Sequence, residues 1–232
     1  MEYVEVARAE SERGELVLRE RRDEDGLAAP VLELRVNGVF VMDTLETSSE
    51  QALATAALAQ VVDPRDVLVG GLGLGFTAHE VLADPRVRRL VVVEVEEALV
   101  GWMRDGTVPH GPGFLADERL TVVAADITQA LAEASPASYD LVLLDVDNGP
   151  GFLVHHANAA VYEPAFLRVA AEALRPGGAL VVWSESDAPA LAETLREVFG
   201  GVTPIPVDVR LQGRAEHYWL YLARRVREPS AG

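Results

Sequence analysis

The residues best placed to do chemistry are a glycine-rich loop and the carboxylates that follow it at successive strand ends. The apolar run Asp66-Val-Leu-Val leads into Gly70-Gly71-Leu72-Gly73-Leu74-Gly75-Phe76 and then into a helical stretch. Glycines at such a strand-to-helix turn let the backbone approach a ligand closely at a helix N-terminus. From Gly71 the spacing is G-x-G-x-G, and Phe76 stands where a dinucleotide loop would carry Gly or Ala. The loop therefore suits an adenosylmethionine-type nucleoside better than a pyrophosphate. A tight turn with no ligand is the plainer alternative. Glu94 ends the next apolar run, 19 residues after Gly75, and an acid at that distance can accept from both ribose hydroxyls. Asp126 ends the third run, where it can accept from an adenine amine while Ile127 packs on the ring; the alternative is a simple helix N-cap. The fourth run ends in Asp145-Val-Asp147-Asn148, at the sheet edge where open α/β sheets bind ligands and where a general base would stand.

These groups need a parallel sheet to bring them together. Asp66–Gly70, Leu90–Glu94, Leu120–Ala124, Tyr139–Asp145 and Ala179–Ser184 are short continuous apolar runs, the pattern of strands buried on both faces. Helical stretches are expected between them at 76–83, 96–104, 127–134, 160–174 and 188–199, where Glu96 and Glu97 read as solvated acids of a first turn. His217–Ala223 reads as a further strand, with a strand or edge at 202–209. The fold class is α/β, a Rossmann-like doubly wound, mostly parallel sheet. Ahead of it, residues 1–45 form a small antiparallel β element: Gly14–Arg19 and Val31–Val36 alternate around the charged loop 20–26, and Asn37-Gly38 turns the chain into Val39–Met42. Thr47-Ser-Ser-Glu50 reads as the start of a helix reaching about Val62, stopped by Asp63-Pro64. The Rossmann-like domain is expected to span 46–227, with a disordered tail at 228–232.

Composition narrows the chemistry. The 232 residues carry a formal charge of −17, and all 20 basic residues are Arg. With no Lys there is no Schiff-base or P-loop chemistry, and with no Cys there is no disulfide, thiolate metal site or Cys nucleophile. So acidic a surface argues against a nucleic-acid partner. No apolar stretch approaches the ~18 residues of a membrane span, and the N-terminus lacks the order of a signal peptide, so a cytoplasmic protein off the membrane is expected.

Taken together, these segments resemble the spermidine synthase-like group of class I S-adenosylmethionine-dependent transferases, over about 31 to 222. The resemblance rests on Val36-Asn-Gly-Val-Phe-Val-Met-Asp43, Ser49-Glu-Gln-Ala-Leu53, Val67-Leu-Val-Gly-Gly-Leu-Gly-Leu-Gly75, Val92-Val-Glu94-Val-Glu-Glu97, Asp117–Asp126, Tyr139–Asp145, Leu174-Arg-Pro-Gly-Gly178 and Trp183-Ser-Glu-Ser186. It implies the class I methyltransferase fold and a co-substrate that is S-adenosylmethionine or its decarboxylated form, with no metal. Gly71, Gly73 and Gly75 would hold the nucleoside, Glu94 the ribose, and Asp126 with Ile127 the adenine. Asp145 would deprotonate an attacking amine. Glu50, Gln51, Asp147, Asn148 and Tyr162 would meet the acceptor. The family's usual loop Asp is Leu74 here, its Tyr-Gln pair falls on Ser49-Glu50 or its neighbours, and its second gate Asp falls on Asn148. The implied activity is alkyl transfer of the aminopropyl type to a small amine, in polyamine biosynthesis, by a homodimer formed through the N-terminal element. A small-molecule methyltransferase and a non-catalytic nucleoside-binding homologue are the alternatives. Of the other notable residues, His155-His156 reads as surface loop or pocket lining, Trp102 as core and Trp183 as core or pocket wall.

Overall fold

A computed structural model describes residues 2–22, 29–211 and 214–226. The expected tail at 228–232 and most of the charged loop at 20–26 lie outside them. The N-terminal sheet is a four-stranded antiparallel meander of β1 (Glu2–Ser11), β2 (Gly14–Arg22), β3 (Val31–Val36) and β4 (Val39–Asp43), in that spatial order. β1 was not expected. Its alternation is diluted by Glu2, Glu5, Arg8 and Glu10, and nearly all of it is exposed, because it forms the meander's outer edge.

The second sheet has seven strands in the order β10-β11-β9-β8-β5-β6-β7. β5 (Asp66–Gly70), β6 (Arg89–Glu94), β7 (Leu120–Ala124), β8 (Tyr139–Leu144) and β9 (Leu174–Ser184) run parallel, while β10 (Thr203–Leu211) and β11 (Arg214–Arg224) pair antiparallel. The central runs are apolar throughout because both faces are covered: Val67, Leu68, Leu141, Leu143 and Leu180 are each 1% exposed or less. Truncating any of them to Ala removes about 2–5 kcal/mol. β10 tolerates Pro204 and Pro206 because it is an edge strand, and residues two apart turn their nitrogens to the same, unpaired side.

The helices follow the expected order with three differences. The first, α1 (Ser48–Leu58), ends sooner than expected. Thr47 does not cap it by side chain; the approach is braced by Asp43 Oδ1, which accepts from Leu45 N and Glu46 N at 2.9 Å each. Beyond α2 (Phe76–Ala83) and α3 (Glu97–Asp105), a short α4 (Gly111–Leu115) appears that was not expected. After α5 (Ile127–Glu133), the expected helix 160–174 is two pieces, a 3-10 turn at His156–Tyr162 and α6 (Pro164–Ala173). Pro164 explains the break, since it forces Glu163 to extended backbone (ψ 148°) and then starts the helix at N1. The last helix is α7 (Pro189–Phe199).

The two sheets share one core. Leu16, Leu18, Leu34 and Met42 of the meander pack in the same cluster as Val67, Val69, Leu72 and Leu74 of β5 and its loop. The meander thereby lies over the carboxyl edge of the large sheet, where the glycine loop emerges.

Candidate active site

A cavity opens at that edge. Its wall includes Gly71, Gly73, Glu94, Asp126, Ile127 and Asp145 from the large sheet, together with Met42 and Arg13 from the meander and Glu50 from α1. Asp147, Asn148, His155 and Trp183 complete it on the far side.

The glycine loop holds its shape by necessity. Gly71 has φ +93°, and a Cβ there would lie 1.9 Å from the Asp145 carbonyl oxygen. The loop is pinned from both sides, Gly71 N donating to Val93 O and Asp145 N to Gly70 O, each at 2.8 Å. Gly73 likewise has no room for a side chain, because Met42 Sδ would sit 2.6 Å from its Cβ. Gly75 is placed differently: it caps α2 at φ +89° and packs toward Met103 and Phe114, outside the cavity wall. The first strand therefore supplies two glycines to the cavity rather than three.

Glu94 is 7% exposed, and its carboxylate accepts from Leu72 N and Glu96 N, both at 2.8 Å. Burial pushes its carboxyl above the usual carboxylate range. Each of its oxygens keeps a lone pair for a further donor, which fits a pair of ribose hydroxyls. Asp126 is the helix N-cap, as one of its sequence readings has it, and it also lines the cavity. Oδ1 caps α5, accepting from Thr128 N (2.7 Å) and Thr128 Oγ1 (2.6 Å), and Oδ2 has no hydrogen-bond partner among the described residues. Ile127 is buried beside it and also packs against Gly70. This donor and acceptor set fits an adenosyl group, with acids for its hydroxyls and amine and an apolar edge for its ring.

Another part of the wall is built from two neighbouring acids. Asp145 Oδ2 accepts from Thr77 Oγ1 (2.7 Å), in the first turn of α2, and Glu50 Oε2 accepts from Ser49 Oγ (2.7 Å). Burial pushes Asp145 up to about 6. Burial, followed by the charge of Asp145, pushes Glu50 up to about 7. Two carboxylates in one desolvated place oppose each other's ionisation, and a cation between them removes the penalty. Trp183 is in the wall as well, edge-on to Tyr218, with ring centroids 4.9 Å apart.

The other sequence candidates divide between the cavity wall and places outside it. Gln51 is exposed and donates to Thr47 Oγ1 (3.2 Å), so the cavity receives Glu50 and not its neighbour. Asp147 lines the cavity, but its carboxylate is taken up by its own loop. Oδ1 accepts from Asn148 N and Val154 N, and Oδ2 from Asn158 Nδ2 (2.6 Å). Asn148 is buried and reaches Phe40 O (3.4 Å). Tyr162 packs in the second apolar cluster, beside the cavity rather than in its wall. Burial and the Asp147 and Asp145 carboxylates push its phenol far up, keeping it a proton donor. Of the two histidines, His155 lines the cavity and accepts from Ala157 N (3.2 Å), whereas His156 is exposed. Leu74, in the place of the expected loop acid, is fully buried in the core and absent from the wall. Thr77 and Arg13 escaped the sequence reading. The first turn of the helix after the loop was a searchable place for a hydroxyl facing Asp145; nothing in the sequence marked Arg13.

Known proteins place this architecture. Residues 46–197 match the spermine/spermidine synthase domain. The chain is 36% identical over 168 residues to polyamine aminopropyltransferase 2 of Pseudomonas aeruginosa, covering 68% of this chain and 46% of that protein. It is 30% identical over 131 residues to putrescine N-methyltransferase 3 of Nicotiana tabacum, covering 56% of this chain and 32% of that protein. It thus spans less than half the length of either. In fold it superposes on the spermidine synthase of Thermotoga maritima with a TM-score of 0.79 at 16% identity, over 97% of this chain and 74% of that one. The glycine loop and the strand-end acids fall within residues 46–197, and the chain belongs to the spermine/spermidine synthase domain family.

Proposed function

We propose that the protein transfers an alkyl group, of the aminopropyl type, from an adenosyl sulfonium to a small amine. The observation that carries this is the pair of buried acids Glu50 and Asp145 in the wall of a cavity whose other lining residues suit a nucleoside. An alkyl amine has a reference pKa near ~10 and arrives protonated. The acid pair receives that cation, and Asp145 takes the proton as the nitrogen attacks. One N–C bond forms and one C–S bond breaks, the electron pair stays on sulfur, and the proton rests on the Asp145 carboxylate. The nucleoside supplies the activated carbon. The chain contributes alignment and proton removal, with Thr77 fixing the orientation of Asp145.

Glu50 stands in for the acid that Leu74 replaces, and this supports a cationic aminopropyl donor. A second reading, methyl transfer from intact adenosylmethionine, draws on the same Leu74: with no acid in the glycine loop, the methionine carboxylate meets no repulsion there. Calorimetry separates the two. The aminopropyl reading expects decarboxylated adenosylmethionine to bind at least as tightly as the intact form, and a clear preference for the intact form would establish the methyl reading instead.

The acid pair also predicts a pH dependence of stability. Both groups have folded-state values raised above their unfolded ones, so their contribution is fully present at low pH. It is lost as pH rises from about 4 through about 7. Glu50→Gln removes that group's share. The variant should match the parent below about pH 4 and melt higher than it at about pH 8, with ligand absent, while binding amines more weakly. Parallel melting curves at the two pH values would count against a buried charge at Glu50.

A further inference from the structure

Arg13 reaches the cavity from outside the region that matches the family, at the turn between β1 and β2. Among the described residues it is the one guanidinium in a wall that carries Glu50, Glu94, Glu96, Asp126, Asp145 and Asp147. Its side chain is 18% exposed. Nε lies 3.8 Å from Glu96 Oε1, which also accepts from Ser11 Oγ (3.2 Å). Nη2 donates to Asn158 Oδ1, and Asn158 Nδ2 in turn donates to Asp147 Oδ2 (2.6 Å). Asn37 Nδ2 holds the turn from behind through Arg13 O (3.1 Å). One side chain thus bridges the loop after β6 and the 3-10 turn that follows the β8 loop, across the cavity wall.

We propose that Arg13 is a nucleoside-binding residue that straps the N-terminal meander over the bound adenosyl group. The inference rests on the alkyl-transfer reading and adds a polarity to it. Arg13 offsets the charge of Glu96, so cations gain less at the nucleoside acids and are left to Glu50 and Asp145. The remaining guanidinium donors are free to meet ribose oxygens or the adenine ring.

The test uses 5′-methylthioadenosine, a neutral adenosyl thioether, with the full chain. Calorimetry should show Arg13→Ala binding it about 10- to 100-fold more weakly than the parent, with Arg13→Lys in between. In turnover, KM for the nucleoside should rise while kcat at saturation stays within about threefold. Hydrogen exchange should show the thioether protecting residues 10–14 and 154–158 together in the parent and not in Arg13→Ala. If Arg13→Ala does not fold, Arg13→Gln, which can still donate to Asn158, takes its place in the same measurements. Unchanged affinity and exchange in a folded variant would overturn the Arg13 proposal alone. Failure of the parent itself to bind the thioether would overturn the alkyl-transfer reading, and this inference with it.

Discussion

Asp145→Asn is expected to lower turnover by about 10²- to 10⁴-fold, the range for loss of a general base, while nucleoside affinity stays within a few-fold of the parent. The substitution keeps the shape of the side chain and its contact with Thr77 Oγ1 but removes the basic oxygen. Asp145 pairs with Glu50, whereas the proposed nucleoside contacts are Glu94, Asp126 and the glycines. Steady-state rates set beside calorimetric affinities separate the two roles. The parent's rate should also rise with pH through about 6 as Asp145 ionises, and the variant should lose that dependence. The Asn side chain also relieves Glu50 of its charged neighbour, so the Glu50 carboxyl moves back down toward its usual range. Equal loss of affinity and turnover would instead mean that Asp145 holds the loop and does no chemistry.

Gly71→Ala is expected to be severely damaging. A β-carbon 1.9 Å from the Asp145 carbonyl oxygen cannot be accommodated without moving the strand end that carries Asp145. At φ +93° the backbone is also one that L side chains rarely adopt. Local strain of this kind costs about 1–3 kcal/mol before the overlap is counted. The variant should melt well below the parent and show no measurable nucleoside binding at any temperature where it is folded. Gly113→Ala, at a position with open space around the added carbon, serves as the control and should change little. A folded Gly71→Ala protein with parent-like affinity would remove the glycine loop from the binding site.

How much of this site could be read from the sequence depends on what each residue answers to. Glu94, Asp126 and Asp145 were legible because a buried parallel strand is a continuous apolar run, and the first acid after it must stand at the carboxyl edge. Gly71 and Gly73 were legible for a related reason, since only glycine permits their close approaches to Asp145 and Met42. Gly75 shared the spacing but answers to helix capping and packing instead. Glu50 and Gln51 differ by one helical step, about 100° of rotation, and which of them meets the cavity is set by how α1 packs on the sheets rather than by anything local. Asp147 looked like a ligand because it is an acid at a strand end, yet the same short acid is well suited to bracing its own loop. Arg13 was invisible. A charged residue in a hairpin turn has the composition of ordinary surface, and only the docking of the meander over the cavity brings it to Glu96 and the other acids of the wall.

The central claim is that the acid pair serves the alkylation of an amine by an adenosyl sulfonium, and analysis of the released nucleoside tests it most directly. The protein would be incubated with decarboxylated or intact adenosylmethionine and putrescine, the amine named in the tobacco relatives. Products would be separated by mass spectrometry, with Asp145→Asn run in parallel. The account predicts amine-dependent release of 5′-methylthioadenosine from the decarboxylated donor, matched one for one by the aminopropylated amine and nearly abolished in Asp145→Asn. Release that is independent of amine, or unaffected by Asp145→Asn, would contradict it.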